Sequence, residues 1–272
     1  LGDGLSKDNF LESIHQDRDG NIWLATIGGF YRFFDEQFEP FSREDRLVSD
    51  SGRIVFQDKD GDFWFATGEE VSRFDGEQFE HFGREDGLAN NLVDEIVQDR
   101  EGHIWFGTIG GASRYDGETL RSFTTEDGLG SDLVEVIFQD RDGYLWFGAE
   151  DVISRFDGEK FENFFLNDWI SNIGSIFQDR DGYIWFGAAN YAIRFDGRRL
   201  EYFAVEDGLL YKSINSIHQD RDGYLWFGVP GGASRYDGES FESLTYRNGL
   251  VGFNARSILQ DRDGYLWFSC WT

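Results

Sequence analysis

Paired carboxylates are the first residues in this chain that could do chemistry. The pattern Asp-x-(Asp/Glu)-Gly begins at Asp17, Asp58, Asp99, Asp140, Asp179, Asp220 and Asp261. Carboxylates two residues apart beside a glycine are the arrangement that calcium loops use, but such a loop needs a further oxygen ligand at its fifth position and a glutamate at its twelfth. Here the fifth position is held by Tyr144, Tyr183 and Tyr224 among others, and a tyrosine does not replace a carboxylate. The pattern therefore reads as a tight turn whose aspartates accept backbone N–H bonds. Neither a metal nor another cofactor is expected.

Histidine chemistry fares no better. Of His15, His81, His103 and His218, the first and last occupy a position held in the other copies by Phe56, Val97, Phe138, Phe177 and Leu259. They read as partly buried packing residues. No serine–histidine–aspartate spacing, cysteine–histidine cluster or phosphate-cradling glycine loop stands out, so no catalytic residue is assigned. Cys270 is the single cysteine, which rules out a disulfide within the chain. Arginines recur once per complete copy, at Arg32, Arg73, Arg114, Arg155, Arg194 and Arg235. Repetition in every copy suits a ladder of arginine–carboxylate pairs between strands better than a single ligand site.

All these residues belong to one repeat. Its core, Gln-Asp-(Arg/Lys)-(Asp/Glu)-Gly, begins at Gln16, Gln57, Gln98, Gln139, Gln178, Gln219 and Gln260, with spacings of 41, 41, 41, 39, 41 and 41 residues. The repeat cores span 16–25, 57–66, 98–107, 139–148, 178–187, 219–228 and 260–269. A fixed period of this size marks a repeat architecture. Each core carries a tryptophan, Trp23, Trp64, Trp105, Trp146, Trp185, Trp226 and Trp267.

Within one copy, Leu92–Asp99 reads as a strand, Asp-Arg-Glu-Gly as a turn and His103–Thr108 as a second strand. Ala112–Tyr115 and Thr119–Phe123 follow as the third and fourth. The second strand is apolar without alternation, as expected when both sheet faces are covered. Four antiparallel strands per period and no helical periodicity describe an all-β β-propeller. The tryptophan of each second strand is the natural filler between blades. We expect one domain, residues 1–272, with about seven blade positions and only the first two strands of the last blade. The net charge of −27 argues against nucleic acid as a partner. No apolar run is long enough to span a membrane.

The pattern I-x-Q-D-x-D-G-x-(L/I)-W-(F/L)-G, followed by Gly-Gly-x-x-Arg-(Tyr/Phe)-Asp-Gly, resembles the two-component regulator propeller repeat over essentially the whole chain. The resemblance implies a periplasmic or extracytoplasmic sensor propeller of a hybrid histidine kinase or related signalling protein. Some members of that family sense oligosaccharides. No kinase or other output domain is present, and the chain reads as a segment of a longer protein.

The copies differ mainly on one side. First and third turns barely change, whereas second turns and the crossovers between blades vary widely. Loops held by a rigid scaffold are where binding groups are usually placed. Trp169, Tyr191, Tyr211 and Phe253 could stack on a sugar or peptide. Asn90, Asn91, Asn172, Lys212 and Asn254 could supply directional hydrogen bonds. The sharpest expectation is a non-enzymatic propeller that binds an oligosaccharide or other small ligand over the channel mouth. A scaffold for protein partners, completed by another chain or by self-association through the incomplete blade, is the alternative. An enzyme similar to streptogramin lyases is the third reading.

Overall fold

The structure, a computed structural model, describes residues 10–35, 37–41, 47, 51–166, 170–250 and 254–271. The described chain is built from six four-stranded antiparallel sheets and one two-stranded sheet. The first blade comprises β1 (Leu11–Gln16), β2 (Ile22–Thr26), β3 (Gly29–Phe34) and β4 (Gln37–Phe41). The second comprises β5 (Gly52–Gln57), β6 (Phe63–Thr67), β7 (Val71–Phe74) and β8 (Phe79–Phe82). In the third, β9 (Val93–Gln98), β10 (Ile104–Thr108), β11 (Gly111–Tyr115) and β12 (Leu120–Phe123) reproduce the expected order to within a residue or two.

The fourth blade holds β13 (Val136–Gln139), β14 (Leu145–Gly148), β15 (Val152–Phe156) and β16 (Phe161–Phe165). The fifth holds β17 (Ser171–Gln178), β18 (Ile184–Ala189), β19 (Ala192–Phe195) and β20 (Leu200–Phe203). The sixth holds β21 (Ser216–Gln219), β22 (Leu225–Val229), β23 (Gly232–Tyr236) and β24 (Phe241–Thr245). A final hairpin, β25 (Asn254–Gln260) and β26 (Leu266–Trp271), is the seventh sheet. Contacts divide the chain into two compact units, Leu1–Val134 with the first three blades and Glu135–Thr272 with the rest.

Within each unit, successive blades stack through their first strands, β1 on β5 on β9, and β13 on β17 on β21 on β25. The second strands are buried along almost their whole length, as their unbroken hydrophobicity requires. Tryptophan fills the space between blades. Trp146 packs on Phe186 of the next blade with ring centroids 5.5 Å apart, Trp185 on Phe227 at 5.5 Å, and Trp64 on Phe106 at 5.6 Å. In four tryptophan strands a glycine, Gly107, Gly148, Gly187 or Gly228, stands two residues after the tryptophan, where the next crossover or strand runs against it. A Cβ on Gly187 would lie 2.6 Å from the Ile214 side chain, and one on Gly228 would lie 2.7 Å from the Ala255 carbonyl.

A second set of contacts ties the first turns together. The Gln178 side chain donates to the Gly182 carbonyl of its own turn at 3.2 Å, and its Oε1 accepts the Arg141 N–H of the preceding blade at 2.8 Å. Arg141 in turn reaches forward to the Asp179 and Arg180 carbonyls. The same clamp joins Arg18 to Gln57, Lys59 to Gln98, Arg180 to Gln219 and Arg221 to Gln260. The Gln-Asp-Arg motif is thus a blade-to-blade fastening as well as a turn.

The last tryptophan departs from the expected role. Trp267 is 61% exposed, whereas Trp146 is 1% exposed. Among the described residues no third strand pairs with β26, so the ring lacks the arginine and outer strands that cover its counterparts. Trp146→Ala is expected to cost about 3–5 kcal/mol and Trp267→Ala less than about 1 kcal/mol, measured by urea unfolding.

Candidate functional site

The carboxylates of the first turns are already committed to the protein. Asp140 Oδ1 accepts the Asp142 and Tyr144 N–H groups at 3.0 and 2.9 Å, and its Oδ2 accepts the indole N–H of Trp146 at 2.7 Å. The indole bond recurs in all seven copies at 2.7–2.9 Å. Burial opposes ionisation of Asp17, but the bonds from Asn21 and Trp23 outweigh it and hold its pKa below the ordinary carboxylate value. In the third copy, Asp99, Glu101 and His103 bring one potential metal-ligand atom each within 4.8 Å of one another. Asp99 nevertheless accepts from His103 N–H, His103 Nδ1 and the Trp105 indole.

The expected arginine ladder is present in five blades. Arg32 pairs with Glu39 and Arg73 with Asp62 and Glu80. Arg155 pairs with Glu162, Arg194 with Glu201 and Arg235 with Glu242. Each guanidinium also lies over the tryptophan opposite it in the register, as Arg194 does at 5.6 Å from the Trp185 ring centroid. Arg114 is the exception: among the described residues no carboxylate pairs with it, and its cross-strand neighbour is Arg121. Clefts of about 400 and 460 Å³ open over the ladder in the fifth and fourth blades, lined in part by Arg194 and Glu201 and by Arg155 and Glu162.

The opposite side carries the variable loops, and contacts confirm that second turns and crossovers share it. The Asn190 N–H of one second turn donates to the Lys212 carbonyl of the following crossover. In the other unit, a Cβ on Gly110 of the second turn would lie 2.8 Å from the Ala89 carbonyl of a crossover. Tyr211 is 52% exposed, and Lys212 and Asn172 are exposed as well. Tyr191 is half-buried, edge-on to Tyr202 with centroids 5.9 Å apart. Asn172 and Asn190 have φ of 57° and 76°, the left-handed region that non-glycine residues seldom adopt.

The fifth blade owes this shape to its shortened repeat. Three crossovers contain a single 3-10 turn, at Arg84–Asp86, Thr125–Asp127 and Val205–Asp207. In the fifth blade β17 runs over eight residues, with a register shift between Ser171 and Ser175 that places Asn172 in a bulge. Bulges re-aim side chains and are frequent beside functional sites.

In the first unit, Asn90 and Asn91 turn out to brace the backbone. Asn90 Oδ1 accepts the Leu92 N–H at 3.0 Å and Asn91 Oδ1 the Arg84 N–H at 3.1 Å, so each oxygen already holds a backbone group. Trp169 and Phe253 lie outside the described residues, as does the side chain of Asn254. Sequence reasoning passed over Asn190, whose signal was an asparagine before the turn tyrosine. It also passed over Asn215, which donates to the Ala255 carbonyl of the next blade at 3.1 Å.

His15 and His218 are placed for packing, whereas His81 pairs with Glu70 and His103 with Asp99. His15 is half-buried, and its Nε2 accepts the Gln57 N–H of the next blade at 3.2 Å. Burial lowers its pKa, and that of His218, below the ordinary value. An unanticipated acid is Glu95 on β9, whose carboxyl is pushed up to about 7 by burial, opposed by the Ile96 N–H and reinforced by Asp94.

Stacked four-stranded blades with a fastened, repeated face and a varied opposite face define a β-propeller of repeated units. The sequence matches the family described as "Two component regulator propeller" at residues 4–28, 87–110, 128–151, 169–190, 208–231 and 252–272. The chain belongs to that family. No curated protein matches the sequence significantly. Among solved structures, it is similar to the extracellular domain of the putative hybrid two component system BT3049 from B. thetaiotaomicron, with 21% identity and a TM-score of 0.77 over 97% of this chain and 38% of that one. The extracellular domain of BT4673, a putative one component system from the same organism, matches with 18% identity and a TM-score of 0.76 over 98% of this chain and 38% of that one. Virginiamycin B lyase from Staphylococcus aureus, solved in a catalytically inactive form with quinupristin, matches with 16% identity and a TM-score of 0.71 over 97% and 92%. At these identities the likeness is one of fold, and the chain spans 38% of the length of each of the two extracellular domains.

Because the folded pKa of Glu95 lies above its unfolded value of 4.5, its contribution to stability is full below that value and is lost as pH rises through about 7. Glu95→Gln should match the parent near pH 4.5 and exceed its stability at pH 8 by up to about 3 kcal/mol, read from urea unfolding at both pH values.

Proposed function

We propose that this chain is a non-enzymatic recognition module of an extracytoplasmic sensor, and that it binds a neutral oligosaccharide or similar small ligand on its variable face. The observation that carries this reading is the division of polar groups between the two faces. On the repeated face, aspartates, glutamines and arginines are bonded to the protein. On the varied face Tyr211, Lys212 and Asn172 are exposed at the junctions of the fifth blade with its crossovers. An aromatic ring beside amide and ammonium donors is suited to stacking on a sugar while bonding its hydroxyls. Trp169 falls in the crossover that leads into the bulged strand and is assigned to the same site.

The likeness to two extracellular domains supports an extracytoplasmic location. A lyase-like activity is disfavoured, because His15 and His218 are packing groups with lowered pKa values. The scaffold reading has its own observation: Leu259, Tyr265 and Trp267 of the last hairpin are exposed together. A partner completing that blade would cover them.

A thermal-shift screen against neutral and acidic oligosaccharides tests the first reading. A ligand present at a hundred times its Kd adds about 2.7 kcal/mol of stability when it binds only the folded state. Tyr211→Ala and Trp169→Ala should each abolish the shift while leaving the unliganded midpoint within about 2 °C of the parent. A flat response to every sugar would transfer the function to protein partners.

A further inference from the structure

The third blade breaks the arginine ladder in a way that leaves two cations together. Glu39, Glu80, Glu162, Glu201 and Glu242 stand directly opposite their arginines in the other complete blades. In the third blade the same register places Arg121 opposite Arg114. Like charges directly across a sheet are destabilising, so the pair needs a compensating partner. Both guanidiniums gather on one aromatic floor: Arg114 lies 5.9 Å and Arg121 4.6 Å from the Phe123 ring centroid, and Arg114 is also 5.8 Å from that of Trp105. The Nε of Arg114 is buried and has no hydrogen-bond partner. A buried donor of this kind carries the full cost of its desolvation.

Asp116, whose carboxylate feels Arg114, does not supply the missing partner. Asp116 is held to about pKa 2, chiefly by the Thr119 and Glu118 N–H groups and the Thr119 hydroxyl, with Arg114 a minor influence. Its oxygens accept those three donors at 2.7–3.0 Å. Asp99, the other carboxylate near the tryptophan, is likewise occupied by His103 and Trp105.

We propose that Arg114 and Arg121 form a binding site for an oxyanion, a carboxylate, sulfate or phosphate group carried by a soluble ligand. The anion takes the place that glutamate fills in the five other complete blades. Its oxygens accept from the terminal N–H groups of both guanidiniums, above the Phe123 ring. The site lies on the third and fourth strands, away from the second turns and crossovers, and does not depend on the sugar-binding reading. It also gives a chain of net charge −27 a local point of attraction for a negative group.

The test titrates the full chain with sodium sulfate, sodium phosphate and sodium glucuronate, against sodium chloride at matched ionic strength and glucose as the neutral control. Two readouts are followed: the unfolding midpoint, and the ¹H–¹⁵N resonances of the arginine Nε–H groups. Arg121→Glu restores the residue used by the other blades, and Arg121→Gln removes the charge alone. The parent should show a saturable rise in midpoint with a shifted Arg114 Nε resonance, strongest with whichever of the three oxyanions the site prefers. Arg121→Gln should weaken apparent affinity by about tenfold or more, and Arg121→Glu should remove the response while raising the anion-free midpoint. An equal rise in parent and Arg121→Glu would be a general salt effect and would overturn the site. So would the absence of any saturable response in the parent, which would leave stacking on Phe123 as the whole role of the pair.

Discussion

The bond from an indole N–H to a buried aspartate organises every blade. The aspartate that opens the first turn accepts backbone N–H groups with one oxygen and a tryptophan six residues on with the other. A hydrogen bond to an ionised acceptor contributes about 1.5–3 kcal/mol, and removing either partner would strand a polar group in the interior. The bond also fixes the plane of the indole. One face of the ring then receives an arginine from the third strand, and the ring edge meets an aromatic residue of the next blade. Turn, sheet and blade stacking are therefore set by one contact, and the glutamine clamp holds the turns at matching spacing.

This economy has a consequence for function. A face on which carboxylates, amides and guanidiniums are bonded to the protein has little capacity for a ligand. The Asp-x-Asp-Gly turns look like cation ligands in a one-dimensional reading, but in three dimensions their leading oxygens already accept two or three N–H groups. On the proposed reading, recognition falls to places where the repeat lapses. The bulged β17 with Asn172 in the left-handed region is one such lapse, and the Arg114–Arg121 pair is another.

Much of this was legible in the sequence, for physical reasons. Period, turn glycines and unbroken apolar second strands are local signals, and they placed Val93–Gln98 and its neighbours to within a residue or two. The arginine–carboxylate ladder also followed from repetition. The parts that escaped depend on what lies opposite in space. Gln178 reads as one more polar strand residue until its 2.8 Å bond to the preceding blade is seen. Asn90 and Asn91 look like free amides, but their oxygens brace a crossover. Glu95 occupies a position held by serine in four other copies and by Ile54 and Val136 in two, and nothing nearby in sequence announces the burial that shifts its pKa. Trp267 carries the repeat signature yet is exposed, because a residue type states a preference for cover and cannot supply it.

The two lapses differ in what they say about selection of a ligand. A bulge in a crossover costs the sheet little, since loop backbone tolerates irregularity and drift can produce it. Replacing a glutamate by an arginine directly across from another arginine is harder to attribute to drift. It removes an ion pair, adds repulsion and leaves a buried donor unpaired, in a position that five sister blades fill with the opposite charge. A domain with few kilocalories of net stability can keep such a defect only when it is small or when something bound to the folded state offsets it. Stacking on Phe123 reduces the cost without satisfying the donor, since a ring face accepts only weakly. An oxyanion bound to the pair would offset the repulsion, and the other blades supply the precedent, because each sets a carboxylate against its arginine.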